Sequence, residues 1–374
     1  MDRSEYWSHT VVGASALEAT PFLIVDTTVM ARNITLMQSE CDERGVKLRP
    51  HVKTHKSTHI ARLQLAAGAT GLTCATLSEA VGLASAGVVT DLLVAIPVYL
   101  DEPKAALARE ALSAHTRLLL AVDSVEILSS IAAAGLTTPG VGLMIEVDSG
   151  LGRTGLTPEA AAALALSAQV QQGALEVAGF FTHGGHAYSP GASAAAANDE
   201  IQSLARAVEL AGLTGRADLI VSAGSTPTAL LSASAPVNEE RPGTYVFGDM
   251  QQVGLGQTDI GGVGAVVIAT VIHSAEDRYV LDAGAKILTK DRPDWMNSYG
   301  QVIHRPRDQI VRVYDNHGVV RCAPGDASPK VGERVPIAPN HICPVVNLVD
   351  ELVTHDPATG TTGRIPVDLR GHLS

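Results

Sequence analysis

A few short runs of this chain concentrate the side chains that could do chemistry. Arg49-Pro50-His51-Val52-Lys53-Thr54-His55-Lys56 sets a lysine among histidines. A lysine at a strand end is costly to bury without a partner or a chemical role. Desolvation and the nearby cations Arg49 and Arg153 would favour its neutral, nucleophilic form. A lysine merely paired with a carboxylate such as Asp148 is the structural alternative. Gly224-Ser225-Thr226-Pro227-Thr228 reads as a phosphate cup. Glycine lets backbone N–H groups approach an anion, and the hydroxyls add donors. A turn built of small residues accounts for the same run. Lysine and cup together suit pyridoxal 5'-phosphate. His341-Ile342-Cys343 is an H-x-C pair. On a strand, i and i+2 face one side, so the two would form half of a soft divalent-metal site, with zinc the natural occupant. A satisfied histidine beside a core cysteine is the alternative.

Positioning such groups requires a scaffold. From Pro21 to Gly224, β-branched runs alternate with Ala/Leu-rich helical stretches. Strands are expected at Phe22–Asp26, Leu48–Lys53, Gly71–Ala75, Leu92–Ile96, Leu118–Asp123, Gly142–Val147, Val177–Thr182 and Leu219–Ser222. A helix between successive strands gives right-handed β-α units, and their number favours a closed (β/α)8 TIM-like barrel over an open doubly wound sheet. The chemical runs then fall at strand ends, where barrels carry their active sites. After Ala235 the texture changes to Gly- and Val-rich short runs, which predicts a C-terminal all-β domain. The expected organisation is an α/β barrel over 21–255 and a β-domain over 256–374 joined by 1–20.

Composition agrees with a folded soluble protein. The chain has 374 residues, 46% hydrophobic and 18% charged, which excludes disorder for most of it. A net charge of −12 argues against nucleic acid or an anionic membrane as a partner. Four scattered cysteines do not form a secreted disulfide framework. No signal-peptide pattern opens the sequence, and its longest apolar stretch is about half the ~20 residues of a membrane span. A cytoplasmic protein is expected.

These runs together resemble the fold-type III pyridoxal-phosphate enzymes, in the branch of D-serine dehydratase and D-threonine aldolase, related to alanine racemase. Thr20–Asp26, the R-P-H-x-K-T-H-K run, Asp148–Gly155, Gly185–Tyr188, Arg241-Pro242-Gly243-Thr244-Tyr245, Asp282–Lys286 and the late H-x-C carry the resemblance over nearly the whole chain. It implies that Lys53 forms the Schiff base with the cofactor and that Arg153 bonds its phenolic oxygen. Gly224, Ser225 and Thr226 would hold its phosphate, and Tyr188 would approach its pyridine nitrogen. His341 and Cys343 would bind a divalent metal (zinc, with manganese or magnesium as alternatives) beside the substrate's β-hydroxyl. It also implies a homodimer with shared active sites and a preference for D-3-hydroxy-amino acids.

The parts imply two outcomes. A cofactor-stabilised carbanion at Cα with a metal at the β-hydroxyl supports β-elimination of water. The same apparatus supports retro-aldol cleavage to glycine and an aldehyde, with His186, His59 or a metal-bound water as the base. In this family the dehydratases tend to carry H-x-C and the aldolases H-x-D, so Cys343 leans the expectation toward dehydration of D-serine, D-threonine or 3-hydroxy-D-aspartate. A racemase on this fold would need a second acid/base opposite Lys53 and would leave H-x-C unexplained. A non-catalytic cofactor carrier would lack the β-domain.

Overall fold

The computed structural model describes residues 6–7, 13, 18–88, 91–112, 117–171 and 175–374. The chain divides into two compact units, 35–243 with 371–374, and 1–34 with 244–370. Strand β1 (Phe22–Asp26) runs into helix α1 (Thr27–Glu43), within which the division falls. Asp26 Oδ1 accepts from the amides of Thr28 (2.9 Å) and Val29 (3.1 Å), so the helix starts with its first donors satisfied.

The 35–243 unit is a barrel. Its strands are β2 (Lys47–Leu48), β3 (Gly71–Cys74), β4 (Asp91–Val94), β5 (Arg117–Val122), β6 (Val141–Glu146), β7 (Glu176–Phe181), β8 (Ile220–Ala223) and β9 (Glu239–Glu240). They pair in parallel in the order β2-β9-β8-β7-β6-β5-β4-β3. A parallel bridge from His51 to Thr73, with Thr73 N donating to Pro50 O at 2.9 Å, joins the two ends into a ring. Strands such as Leu118–Val122 are continuously apolar because both faces are covered. Around them lie α2 (Thr58–Ala66), α3 (Leu77–Ser85), α4 (Glu102–Ala111), α5 (Val125–Ala133), α6 (Pro158–Gln171) and α7 (Ser193–Leu210). Thr76, Asp101 and Ser124 cap α3, α4 and α5 by accepting from the third amide on. Helix α4 ends at Ala111, and 113–116 lie outside the described residues.

Membership of the ring departs from expectation at one place. Phe22–Asp26 forms its strand but pairs with the other sheet, antiparallel to β10 (Ala265–Ser274) and parallel to β16 (Glu351–Asp356). The eighth barrel strand is β9, two glutamates that carry no apolar pattern. Their carboxylates are buried because Arg49 and Ser222 bond Glu239 and Ser232 bonds Glu240.

The remaining unit is mostly antiparallel. Besides β1, β10 and β16 it contains β11 (Arg278–Leu281), β12 (Gln301–Val302), β13 (Gln309–Val313), β14 (Gly318–Arg321), β15 (Arg334–Ala338) and β17 (Thr361–Pro366). The path is β13-β14-β11-β10-β1-β16-β17, with β15 bridging β10 and β12. Three short helices interrupt it: α8 (Met250–Gly254), α9 (Ala285–Leu288) and α10 (Ile342–Val346). Its core gathers Trp7, Ile24, Val266, Ile268 and Val353, so part of the N-terminal segment packs on the β-domain. No helix among the described residues is long and apolar enough to cross a membrane.

Candidate active site

At the barrel mouth, β2 stops at Leu48 and the chain turns into a single 3-10 turn, Val52–Thr54, that carries Lys53. Two anchors set this turn. Arg49 is buried, donating Nε to Glu239 Oε2 at 2.9 Å and Nη1 to Asp91 O at 3.0 Å. His51 N donates to Pro242 O at 3.0 Å, and His51 Nδ1 accepts from Lys53 N at 3.4 Å. The neighbouring lysine is spent elsewhere: Lys56 Nζ donates to the buried Glu79 carboxylate at 2.6 Å. His55 is structural too, between Gln64 and the amide of Ser57. His59 is exposed on the first turn of α2.

Two imidazoles are tuned by this neighbourhood. Burial, then the charges of Lys53 and Arg241, holds His51 well below the usual histidine range. Burial, then Lys53, Arg153 and Arg241, does the same to His183. Both are neutral at physiological pH and available as hydrogen-bonding groups rather than cations.

Arg241 is a second buried guanidinium at the mouth. It donates to Ser222 Oγ at 2.6 Å and to the Thr182 carbonyl, and lies 5.1 Å from the centre of the Phe181 ring. Ser222 Oγ in turn donates to Glu239 Oε1 at 2.7 Å, which links Arg241 to Arg49 through one carboxylate. Glu200 on α7 reaches under two loops, accepting from Gly184 N at 2.9 Å and Gly224 N at 3.1 Å with the same oxygen. Gly224 has φ +85°, and a Cβ there would sit 1.9 Å from Glu240 Oε2, so only glycine fits. Ser225 N and Oγ bond Thr228 Oγ1 at 2.9 and 3.1 Å, closing the turn that presents Thr226.

The loop after β6 supplies the rim. Asp148 caps its own turn, accepting from Gly150 N (2.9 Å) and Gly152 N (3.1 Å). Arg153 is exposed there. Glu146, at the strand end, accepts from Thr154 Oγ1 at 3.0 Å, while its Oε2 is buried without a hydrogen-bond partner. Burial pushes its carboxyl up to about 7. His186 Nε2 lies 3.2 Å from Asp199 Oδ2, and Tyr188 is half-buried just beyond. A lysine, neutral imidazoles, a buried guanidinium and a Gly-Ser-Thr turn form a donor set that suits an anionic aldehyde cofactor.

In the β-rich unit, His341 and Cys343 do not lie on a strand as expected. β15 ends at Ala338, His341 is the N-cap of α10, and Cys343 is in its first turn. The helical turn still brings them together, close enough for the charge of Cys343 to act on the His341 ring. Thr244 Oγ1 lies 3.7 Å from Cys343 Sγ. Burial favours the neutral ring of His341, but the Cys343 thiolate and the Asp291 carboxylate outweigh it and push its pKa up to about 11. Among the described residues no group of three or more His, Cys, Asp or Glu forms a closed metal cage. An imidazole beside a thiolate is a two-donor set that suits a borderline-soft divalent cation and leaves positions for water or substrate.

Sequence reasoning singled out Lys53, Arg153, the Gly224–Thr226 turn and the H-x-C pair, but not Glu146, Glu200, Glu239 or Asp291. The adjacent acids before Arg241 were the one available signal, since two glutamates beside an arginine suggest an internal charge network.

Comparison with known proteins places this architecture. Residues 25–251 match the alanine racemase N-terminal domain, and residues 264–355 match the putative serine dehydratase domain. The chain belongs to the fold-type III pyridoxal-phosphate family that contains D-serine dehydratase and D-threonine aldolase. It is 34% identical to the D-threo-3-hydroxyaspartate dehydratase of Delftia sp. (strain HT23), over 87% of this chain and 90% of that one. The solved structure of that enzyme superposes with a TM-score of 0.82 over 96% of this chain and 98% of that one, at 32% identity. A cysteine-to-alanine mutant of it has been solved in a metal-free form. The D-threonine aldolase of an Arthrobacter species is 31% identical over 89% of this chain and 88% of that one. The D-threonine aldolase of Filomicrobium marinum has a TM-score of 0.84, at 26% identity, over 95% and 97% of the two chains.

Proposed function

We propose that this protein is a pyridoxal-phosphate- and divalent-metal-dependent lyase that eliminates water from D-3-hydroxy-amino acids. The observation that carries the reading is the His341–Cys343 pair, an imidazole and a sulfur donor brought together at the start of one helical turn in a chain whose barrel presents Lys53. The racemase reading leaves that pair without a role, and the carrier reading leaves the β-rich unit without one.

Lys53 would hold the cofactor's aldehyde carbon, Gly224, Ser225 and Thr226 its phosphate, and Arg153 its phenolic oxygen. Tyr188 or the buried Arg241 would face the ring. When bound, pyridoxal phosphate supplies an electron sink for a carbanion at substrate Cα, and the cation a Lewis acid at the β-hydroxyl. Lys53 would act as the base that takes the Cα proton. His186, whose Nε2 lies 3.2 Å from Asp199 Oδ2, would carry a proton to the departing hydroxyl. His341 and Cys343 hold the cation, and a thiolate donor favours zinc over manganese or magnesium. Loss of water leaves an enamine, which tautomerises and hydrolyses to a 2-oxo acid and ammonia. Four cysteines, none in a disulfide, suit a reducing, cytoplasmic setting. A homodimer is the proposed assembly.

Product analysis by NMR tests the reading. The protein is incubated with D-threonine, pyridoxal phosphate and zinc or manganese. Appearance of 2-oxobutanoate is the expected result. Glycine and acetaldehyde in its place would establish retro-aldol cleavage, the activity named for the Arthrobacter and Filomicrobium relatives.

A further inference from the structure

We infer that Asp291 is a positioning residue for the metal pair: its carboxylate fixes the His341 ring through Nδ1 and leaves Nε2 to face the cation. The inference rests on the metal reading above and concerns a residue outside the H-x-C motif.

The contact is direct. Asp291 Oδ2 lies 2.5 Å from His341 Nδ1. A metal-bound histidine characteristically donates its second ring N–H to a carboxylate, which sets the tautomer, holds the ring plane and raises the basicity of the metal-facing nitrogen. With only two protein donors, His341 and Cys343, affinity depends strongly on each being held ready.

Asp291 is itself held from several sides. Its amide donates to Thr289 Oγ1 at 3.1 Å. Its carbonyl accepts from Asn340 Nδ2 at 3.1 Å, and the same amide group donates to Ser298 O at 2.8 Å. Asn340 is buried and immediately precedes His341. The residue before the ligand therefore grips the residue that orients the ligand. Thr289 has φ +66°, a left-handed value that β-branched residues avoid. Among the described non-glycine residues, only Thr289 and Lys56 have a positive φ. The strained turn at 289 aims residue 291 back at the histidine.

The backbone below the ligands is fixed independently. Buried Asp249 accepts from Gln252 N with Oδ1 at 2.9 Å and from Ile342 N with Oδ2 at 3.1 Å. One carboxylate thus caps both α8 and α10. Asp249 sets where the ligand turn lies, and Asp291 sets how the ring is rotated within it. As an ion pair alone, Asp291–His341 would matter little, because the side chains are 40% and 33% exposed and such pairs add little stability.

The test is zinc affinity in the cofactor-loaded protein, stripped with a chelator and titrated against a chromogenic competitor. Wild type, Asp291→Ala, Asp291→Asn, Asp291→Glu and His341→Ala are compared, with thermal melts alongside. Asp291→Ala is expected to weaken zinc by about 10- to 100-fold with little change in melting. Asp291→Asn, which still accepts from Nδ1–H, should be intermediate, and Asp291→Glu should recover part of the loss. In zinc-loaded protein, the 15N shifts of His341 should report a protonated Nδ1 and a metal-bound Nε2. Wild-type affinity in Asp291→Ala would overturn the inference and leave the metal reading intact. Equal and complete loss in all three Asp291 variants would make Asp291 a direct ligand and also overturn it. Zinc binding unaffected by His341→Ala would overturn the metal reading and this inference together.

Discussion

Glu200 Oε1 accepts the backbone N–H of Gly224 at 3.1 Å, and the same oxygen accepts Gly184 N at 2.9 Å. One carboxylate from α7 therefore ties the loop after β7 to the loop after β8. Burial raises the Glu200 pKa, and these amides oppose the rise. Replacing Glu200 by alanine leaves two buried amides unpaired, at about 1–3 kcal/mol each. A destabilisation of about 2–6 kcal/mol in denaturant melts is expected. Pyridoxal phosphate affinity should fall as well, since the Gly224 turn loses its anchor. Unchanged cofactor affinity in a folded Glu200→Ala protein would separate this carboxylate from the phosphate site.

The two lysines of the Lys53–Lys56 run should respond oppositely. Lys53→Ala should lose the visible band of lysine-bound cofactor and the lyase activity while staying folded. Lys56→Ala strands Glu79, whose side chain is 0% exposed, and should cost about 3–5 kcal/mol. The folded fraction of Lys56→Ala should retain the band. Absorption spectra and melts on both variants check the assignment, and a Lys53→Ala protein that keeps the band would move the cofactor elsewhere.

How much of this was legible in the chain depends on how far apart the partners lie. Lys53, Gly224–Thr226 and His341–Cys343 stand in short runs where the chemistry and the backbone geometry it needs are encoded together. Glu200 sits in an Ala-rich helix and looks like part of a solvated face. It is buried only because two loops from other strands close over it. Glu239 and Glu240 resemble a loop, and become a strand because Arg49, 190 residues away in sequence, neutralises one of them inside the barrel. Phe22–Asp26 has the apolar run of a barrel strand, but Ile24 sits opposite both Val266 and Val353 in the other sheet. Strand pattern specifies a buried strand without specifying its sheet. The H-x-C pair lies together by a helix end rather than by strand alternation, since the Asn340-His341 turn starts α10.

Glu146 gives a pH prediction. Burial raises its pKa from 4.5 to about 7, so the folded state holds a proton that the unfolded chain releases first. The stabilising contribution is fully present below the unfolded value. It is lost as pH rises through about 7. A shift of this size corresponds to about 3 kcal/mol at ~1.4 kcal/mol per pH unit. Chemical denaturation of wild type and Glu146→Gln between pH 4 and pH 8 should diverge, with the variant flatter. Parallel curves would place the Glu146 carboxyl in contact with water.

Cys343 decides between the two lyase readings and is the most informative single site. Cys343→Ala removes one of the two proposed protein donors, and should lose tightly bound metal and most activity while keeping the visible cofactor band, because Lys53 is untouched. Cys343→Asp exchanges a thiolate for a carboxylate, which moves the preference from zinc toward manganese or magnesium. If the donor type governs how the β-hydroxyl is treated, this variant should also shift the products of D-threonine from 2-oxobutanoate toward glycine and acetaldehyde. Metal content by mass spectrometry and products by NMR read the two effects separately. A metal switch without a product switch would mean that proton transfer at the barrel mouth, with His186 the first residue to replace, chooses the reaction. Full activity in metal-free Cys343→Ala would remove the Lewis acid from the mechanism.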